Sequence, residues 1–263
     1  MSIMSEQKIY LRFDLSKYLK KRCLIMEIGE IIMDSLHYPL DNIKALVIYI
    51  VLGIIAALVL GITGASAIAA GQLNNVGLGI VGIIGLIIAI AIFLLIDGYG
   101  LDVIKIGIDR ENGSPEINIA DQIIKGIKLL ILGIVYMIIP IIIMALLSAI
   151  NDTLGLIVGI ILIIVFAFGL MMGECRLANT GSLGHALNIP EAFKDVTRVG
   201  IVKILAVIIV LMVLYLIFSG IAGIFGSFGD IGTAIAAIIS GILNTYLTFV
   251  GFRSSGLLYS EIA

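Results

Sequence analysis

Four charged residues stand where long apolar runs of this chain end: Asp97, Glu174, Arg176 and Arg253. Carboxylates and guanidinium groups at such positions can face one another across the mouth of a helix bundle. There they could pair, or hold an ion or a polar ligand. The plain alternative is that the helices emerge from the membrane here and the charges only set which way they point. Asp97 is the most suggestive, because an ionisable group held within a span is costly and often functional. Downstream, Asp102 with Lys105 and Lys105 with Asp109 have the i,i+3 and i,i+4 spacings of a solvated helical extension. Lys44, Lys128 and Lys203, at the starts of apolar runs, read as anchors whose stems lie along the apolar surface and whose ammonium groups reach the headgroups. Near membrane depth the main polar candidates are Ser148, Asn244, Thr245 and Thr248.

Chemistry of other kinds finds no support. The chain has two cysteines, Cys23 and Cys175, neither in a C-x-x-C pair, and no histidine at ligand spacing. His37 and His185 lie in polar segments without an acid at catalytic spacing. There is no Gly-x-Ser-x-Gly elbow, phosphate-binding Walker loop or His-Glu-x-x-His. No catalytic residue, metal or cofactor is expected, and no nucleic acid partner.

The elements that position these charges follow from composition. The mean hydropathy is +1.22. Hydrophobic residues make up 61% of the chain and charged residues 13%, against about a quarter charged in soluble domains. The solvent such a surface needs is a bilayer. Six apolar runs, over residues 43–62, 77–96, 127–150, 154–172, 201–224 and 231–252, are each near the roughly 20 residues that cross the hydrocarbon. The expected fold is all-α: a polytopic membrane protein with six spanning helices and interfacial amphipathic helices. Residues 63–76 read as an uncharged connector. Pro140, inside the third run, is tolerable in a packed membrane helix. Residues 1–22 form a polar N-terminus, 23–252 one membrane domain and 253–263 a tail. The basic N-terminus, Lys17 to Arg22, could bind anionic lipid or serve only orientation.

Before the first run, Glu27, Glu30 and Asp34 share one face of residues 23–35, opposite Leu24, Ile28 and Ile31. That pattern predicts an amphipathic helix in the membrane interface, ended by His37-Tyr38-Pro39. Every Lys and Arg falls in the N-terminal segment, the two long polar segments or the tail. The opposite connectors carry only Asp152 and Asp230. This segregation predicts a cell-membrane protein with both termini cytoplasmic.

The plan recurs. Gly98 and Gly173, Pro115 and Pro190, Glu116 and Glu191, and Lys128 and Lys203 each stand 75 residues apart. Three units (23–97, 116–172 and 191–252) each read as an interfacial entry, a span, an outer turn and a returning span, so all three share one orientation. Pro115-Glu116 and Pro190-Glu191 are expected to start short helices lying along the membrane, since proline suits a first helical turn.

The motifs Asp97-Gly98-Tyr99-Gly100, Asp102-Val103-Ile104-Lys105, Pro115-Glu116 and Gly126-Ile127-Lys128, with Leu36-His37-Tyr38-Pro39 ahead of the first span, resemble the family called domain of unknown function 4013. The resemblance runs from about Glu27 to about Arg253. It implies a multi-pass membrane protein of archaeal, methanogen origin, and brings no activity or site residue. The expected role is therefore non-catalytic: a membrane scaffold or organising protein with the bilayer as its partner and homo-oligomers possible. A transporter or channel for a small or lipid-like substrate is the alternative.

Overall fold

Glu27 opens the first helix of the structure, a computed structural model that describes residues 26–263 apart from the side chains of residues 230, 231, 233, 234 and 237. The N-terminal segment and Cys23 lie outside the described residues. Helix α1, Ile28–Asp41, starts with a capping box between Glu27 and Glu30 and runs through Pro39 to Asn42. His37-Tyr38-Pro39 therefore does not end it. A proline in the last turn forfeits one hydrogen bond only, and Asn42 closes the end by donating its backbone N–H to the Tyr38 carbonyl.

Helices α2 (Ile43–Leu73) and α3 (Val76–Asp109) pack as a pair. The expected connector at residues 63–76 is mostly helix. Its alanines and glycines contain no proline to stop the first span, so the turn shrinks to two asparagines. Asn74 takes the left-handed conformation, and Asn75 caps α3 by accepting from the Leu78 N–H. Helix α3 likewise continues past Asp97 to Asp109 and ends at left-handed Arg110.

Pro115-Glu116 starts no helix. Residues 111–118 are irregular chain, and α4 (Ile119–Ser148) begins where the Asn118 side chain accepts from the Asp121 N–H. The cap lies past the proline, so the amphipathic entry and the span form one helix. Pro140 sits within it without breaking it. Helix α5 spans Asp152–Thr180, followed by the single turn α6 (Leu183–Ala186). At the second proline a helix does start: Pro190 lies in the first turn of α7 (Ile189–Val199), capped by Asn188. Helices α8 (Ile201–Gly226) and α9 (Gly229–Tyr259) complete the chain.

Among the described residues, five helices (α2, α3, α4, α5 and α8) are long and apolar enough to cross a membrane. Their outward faces carry isoleucines such as Ile83 and Ile87, each 62% exposed, a surface suited to hydrocarbon. Pairs α2–α3, α4–α5 and α8–α9 pack along their lengths. The C-terminal halves of α3, α5 and α9 meet one another at one end. There the core lies: Ile104 from α3, Met172 and Leu177 from α5 and Leu257 from α9, closed by Ile31 of α1 and Ala192 of α7. Close backbone approach makes this convergence possible. A Cβ on Gly98 would overlap the Gln122 carbonyl of α4, and one on Gly126 the Leu94 carbonyl of α3. Beside the core, Tyr49, Tyr99 and Phe249 from α2, α3 and α9 stack with ring centroids 4.2 to 5.6 Å apart.

Candidate functional site

The converged end holds the charges. Arg253 on α9 is 1% exposed. Its Nε donates to Asp34 Oδ1 of α1 at 2.6 Å, its Nη2 to Asp34 Oδ2 at 3.3 Å, and its Nη1 to the Glu111 carbonyl at 2.6 Å. The guanidinium also lies 4.9 Å from the centroid of the Tyr38 ring. Burial pushes the Tyr38 phenol up to about 12, with the Arg253 charge opposing the shift and Asp34 adding to it. One arginine thus joins α9, α1 and the segment between α3 and α4. A buried guanidinium is tolerable only with such a set of acceptors.

Arg176 on α5 turns the other way. Its Nη1 donates to Asp195 Oδ2 at 2.7 Å and its Nε to the His185 carbonyl at 3.0 Å. Asp195 is 1% exposed and also accepts from Arg198 at 2.9 Å. It lies on the buried face of α7 with Ala192, Val196 and Val199. A third, partly buried pair lies nearby: Lys203 of α8 donates to both Glu261 oxygens, at 2.7 and 2.8 Å, and to the Met26 carbonyl at 3.1 Å.

The four residues at the span ends do not form one ring of pairs. Asp97 on α3 and Glu174 on α5 come close enough for their charges to interact, and neither has a cationic partner among the described residues. Arg176 and Arg253 are each engaged by a different acid on an amphipathic helix. Sequence reasoning missed those acids. Asp34 read as part of a solvated face. Asp195 carried a usable signal, since it shares the i,i+3,i+4,i+7 positions of an apolar stripe, where an acid needs a buried partner.

Between α3, α4 and α5 lies a pocket of about 150 Å³ lined by Asp102, Lys105, Asp121, Lys125 and Lys128. Lys125 bridges Asp102 and Asp121, both at 2.5 Å. Lys105 is taken by Asp109 at 2.9 Å and Asn179 at 3.3 Å, and Lys128 by the Gly181 carbonyl at 3.0 Å. Gln122, fully buried, donates to the Glu116 carbonyl at 3.1 Å. The pocket is a network of internal partners. No group of three or more His, Cys, Asp or Glu suited to a metal ion occurs among the described residues.

The family described as Protein of unknown function (DUF4013) matches residues 85–228. This chain belongs to it. The match covers the Gly98-Tyr99, Pro115-Glu116 and Gly126-Ile127-Lys128 motifs, and leaves Leu36-His37-Tyr38-Pro39 outside. No curated protein and no solved structure matches the chain. The family description names no activity, and this DUF4013 protein presents helices long and apolar enough to cross a bilayer.

Proposed function

We propose that this DUF4013 protein is a non-catalytic scaffold of the cell membrane. In this reading α9 is the sixth span, the three helix pairs are repeats in one orientation, and both termini and the converged end face the cytoplasm. The observation that carries it is the use of the buried and partly buried charges. Arg253, Arg176 and Lys203 are each engaged by an acid of another element. Charges so engaged hold amphipathic helices against the span ends, which suits a platform.

A transporter is the second reading. It is favoured by one observation, the neighbouring Asp97 and Glu174 carboxylates without a cation among the described residues. Purified protein in liposomes loaded with proton-, sodium- and potassium-sensitive dyes separates the two. The scaffold reading predicts flux equal to protein-free vesicles. Flux above that level, abolished by Glu174→Gln, would replace it with transport.

A further inference from the structure

Halfway along α9, Asn244 points out of the protein. It is exposed, and its carboxamide has no hydrogen-bond partner among the described residues. Across from it on α8, Tyr215 is 52% exposed, and its hydroxyl likewise has none among them. Both line one groove of about 700 Å³ between α8 and α9, with Leu211, Leu247 and Thr248. The lining positions Leu211 and Tyr215, and Asn244 and Thr248, are one helical turn apart, so each helix contributes a continuous stripe to the groove.

The depth of these groups decides what can cover them. With α9 crossing the membrane over residues 231–252, Asn244 lies about 4 Å along the axis from the midpoint of the span at 1.5 Å per residue. Tyr215 is similarly near the middle of α8. Hydrocarbon offers no hydrogen bonds, so an amide and a phenol left facing acyl chains are expensive. A phospholipid lying in the groove would place its polar head at the interface and only its tails at this depth. The groups able to satisfy Asn244 must therefore come from another protein helix with donors and acceptors at mid-membrane.

We propose that the α8–α9 groove is the docking face for a second copy of this chain. Its chemistry is self-complementary. A carboxamide both donates and accepts, so two Asn244 side chains facing across a twofold axis satisfy each other, and each Tyr215 hydroxyl can donate to an Asn244 oxygen. Gly241, three residues before Asn244 on α9, leaves its flank of the helix open: a Cβ there would meet nothing within 4 Å. Small residues beside an interhelical amide are the usual makings of helix association in lipid.

This inference rests on α9 being a span, and its test separates the two. Fluorescently labelled full-length protein is diluted into liposomes at falling protein-to-lipid ratios and its subunits counted by photobleaching. Wild type is expected to remain dimeric where Asn244→Leu is monomeric, with dimerisation weakened about tenfold or more, and Tyr215→Phe should fall between them. Because Asn244 is exposed, Asn244→Leu should melt with wild type, which guards against misfolding. A monomeric wild type at every dilution overturns the docking proposal, as does a dimer that both variants keep. Wild type that is monomeric and carries a bound amphiphile, lost in Asn244→Leu, would overturn it in favour of a ligand. None of these outcomes touches the scaffold reading, which the flux measurement decides. If α9 does not cross the membrane, Ser227→Cys and Ala263→Cys, both at exposed positions, will label from the same side.

Discussion

Arg253 and Asp34 are 219 residues apart in the chain and 2.6 Å apart in the fold. The pair closes the chain on itself, since α1 comes first among the described helices and α9 last. The arginine is buried while its aspartate is about a third exposed, so the lower part of the range for breaking a buried pair applies. Arg253→Gln is expected to cost about 3 kcal/mol, because Asp34 and the Glu111 carbonyl lose their donor. The double change Arg253→Met with Asp34→Leu should cost less than the single one, because no unpaired charge remains. Thermal unfolding in detergent checks this, and additive losses would show that the two residues act separately.

Tyr38 gives a pH dependence. Its phenol is raised from about 10 in the unfolded chain to about 12 in the fold, so the folded state favours the neutral form. The stabilisation is complete below pH 10 and is lost as pH rises from about 10 to about 12. Over that window wild type should lose up to about 2–3 kcal/mol more stability than Tyr38→Phe. Denaturation of both proteins at stepped alkaline pH measures the difference. Parallel curves would mean that the phenol titrates as if in water.

The crossing of α3 and α4 makes a third prediction. Gly98→Ala places a methyl group onto the Gln122 carbonyl, a backbone atom that cannot swing away, and should destabilise by about 3 kcal/mol. Gly133→Ala, on α4 with nothing within 4 Å of the new Cβ, should leave stability unchanged or raise it by up to about 1 kcal/mol. Equal effects at the two glycines would deny the close approach.

Much of this architecture could be read from residue order alone, because apolar runs of span length have one physical meaning in a bilayer. The apolar runs at 43–62, 77–96, 154–172 and 201–224 fall within helices of the structure, and that at 127–150 does so up to Ser148. What was not legible were the places where local rules compete. Pro115 and Pro190 sit in matching Pro-Glu pairs, yet only Pro190 enters a helix. Asn188 stands two residues before Pro190 and caps there, whereas Asn118 follows Pro115 and moves the cap beyond it. The site was least legible. Which acid meets Arg176 or Arg253 depends on how α7 and α1 fold back against α5 and α9. No spacing rule connects residues so far apart.

The central claim is that one end of this bundle, with its charges, faces the cytoplasm and the short turns face outward. Cys175 cannot report on it, because it is fully buried and would resist reagents from either side. Ser114 and Asp152 are exposed and lie in opposite sets of connectors. A membrane-impermeant thiol reagent applied to intact cells should label Asp152→Cys and leave Ser114→Cys unlabelled until the cells are permeabilised. Labelling of Ser114→Cys from outside, with Asp152→Cys protected, would invert the protein in its membrane and contradict the account.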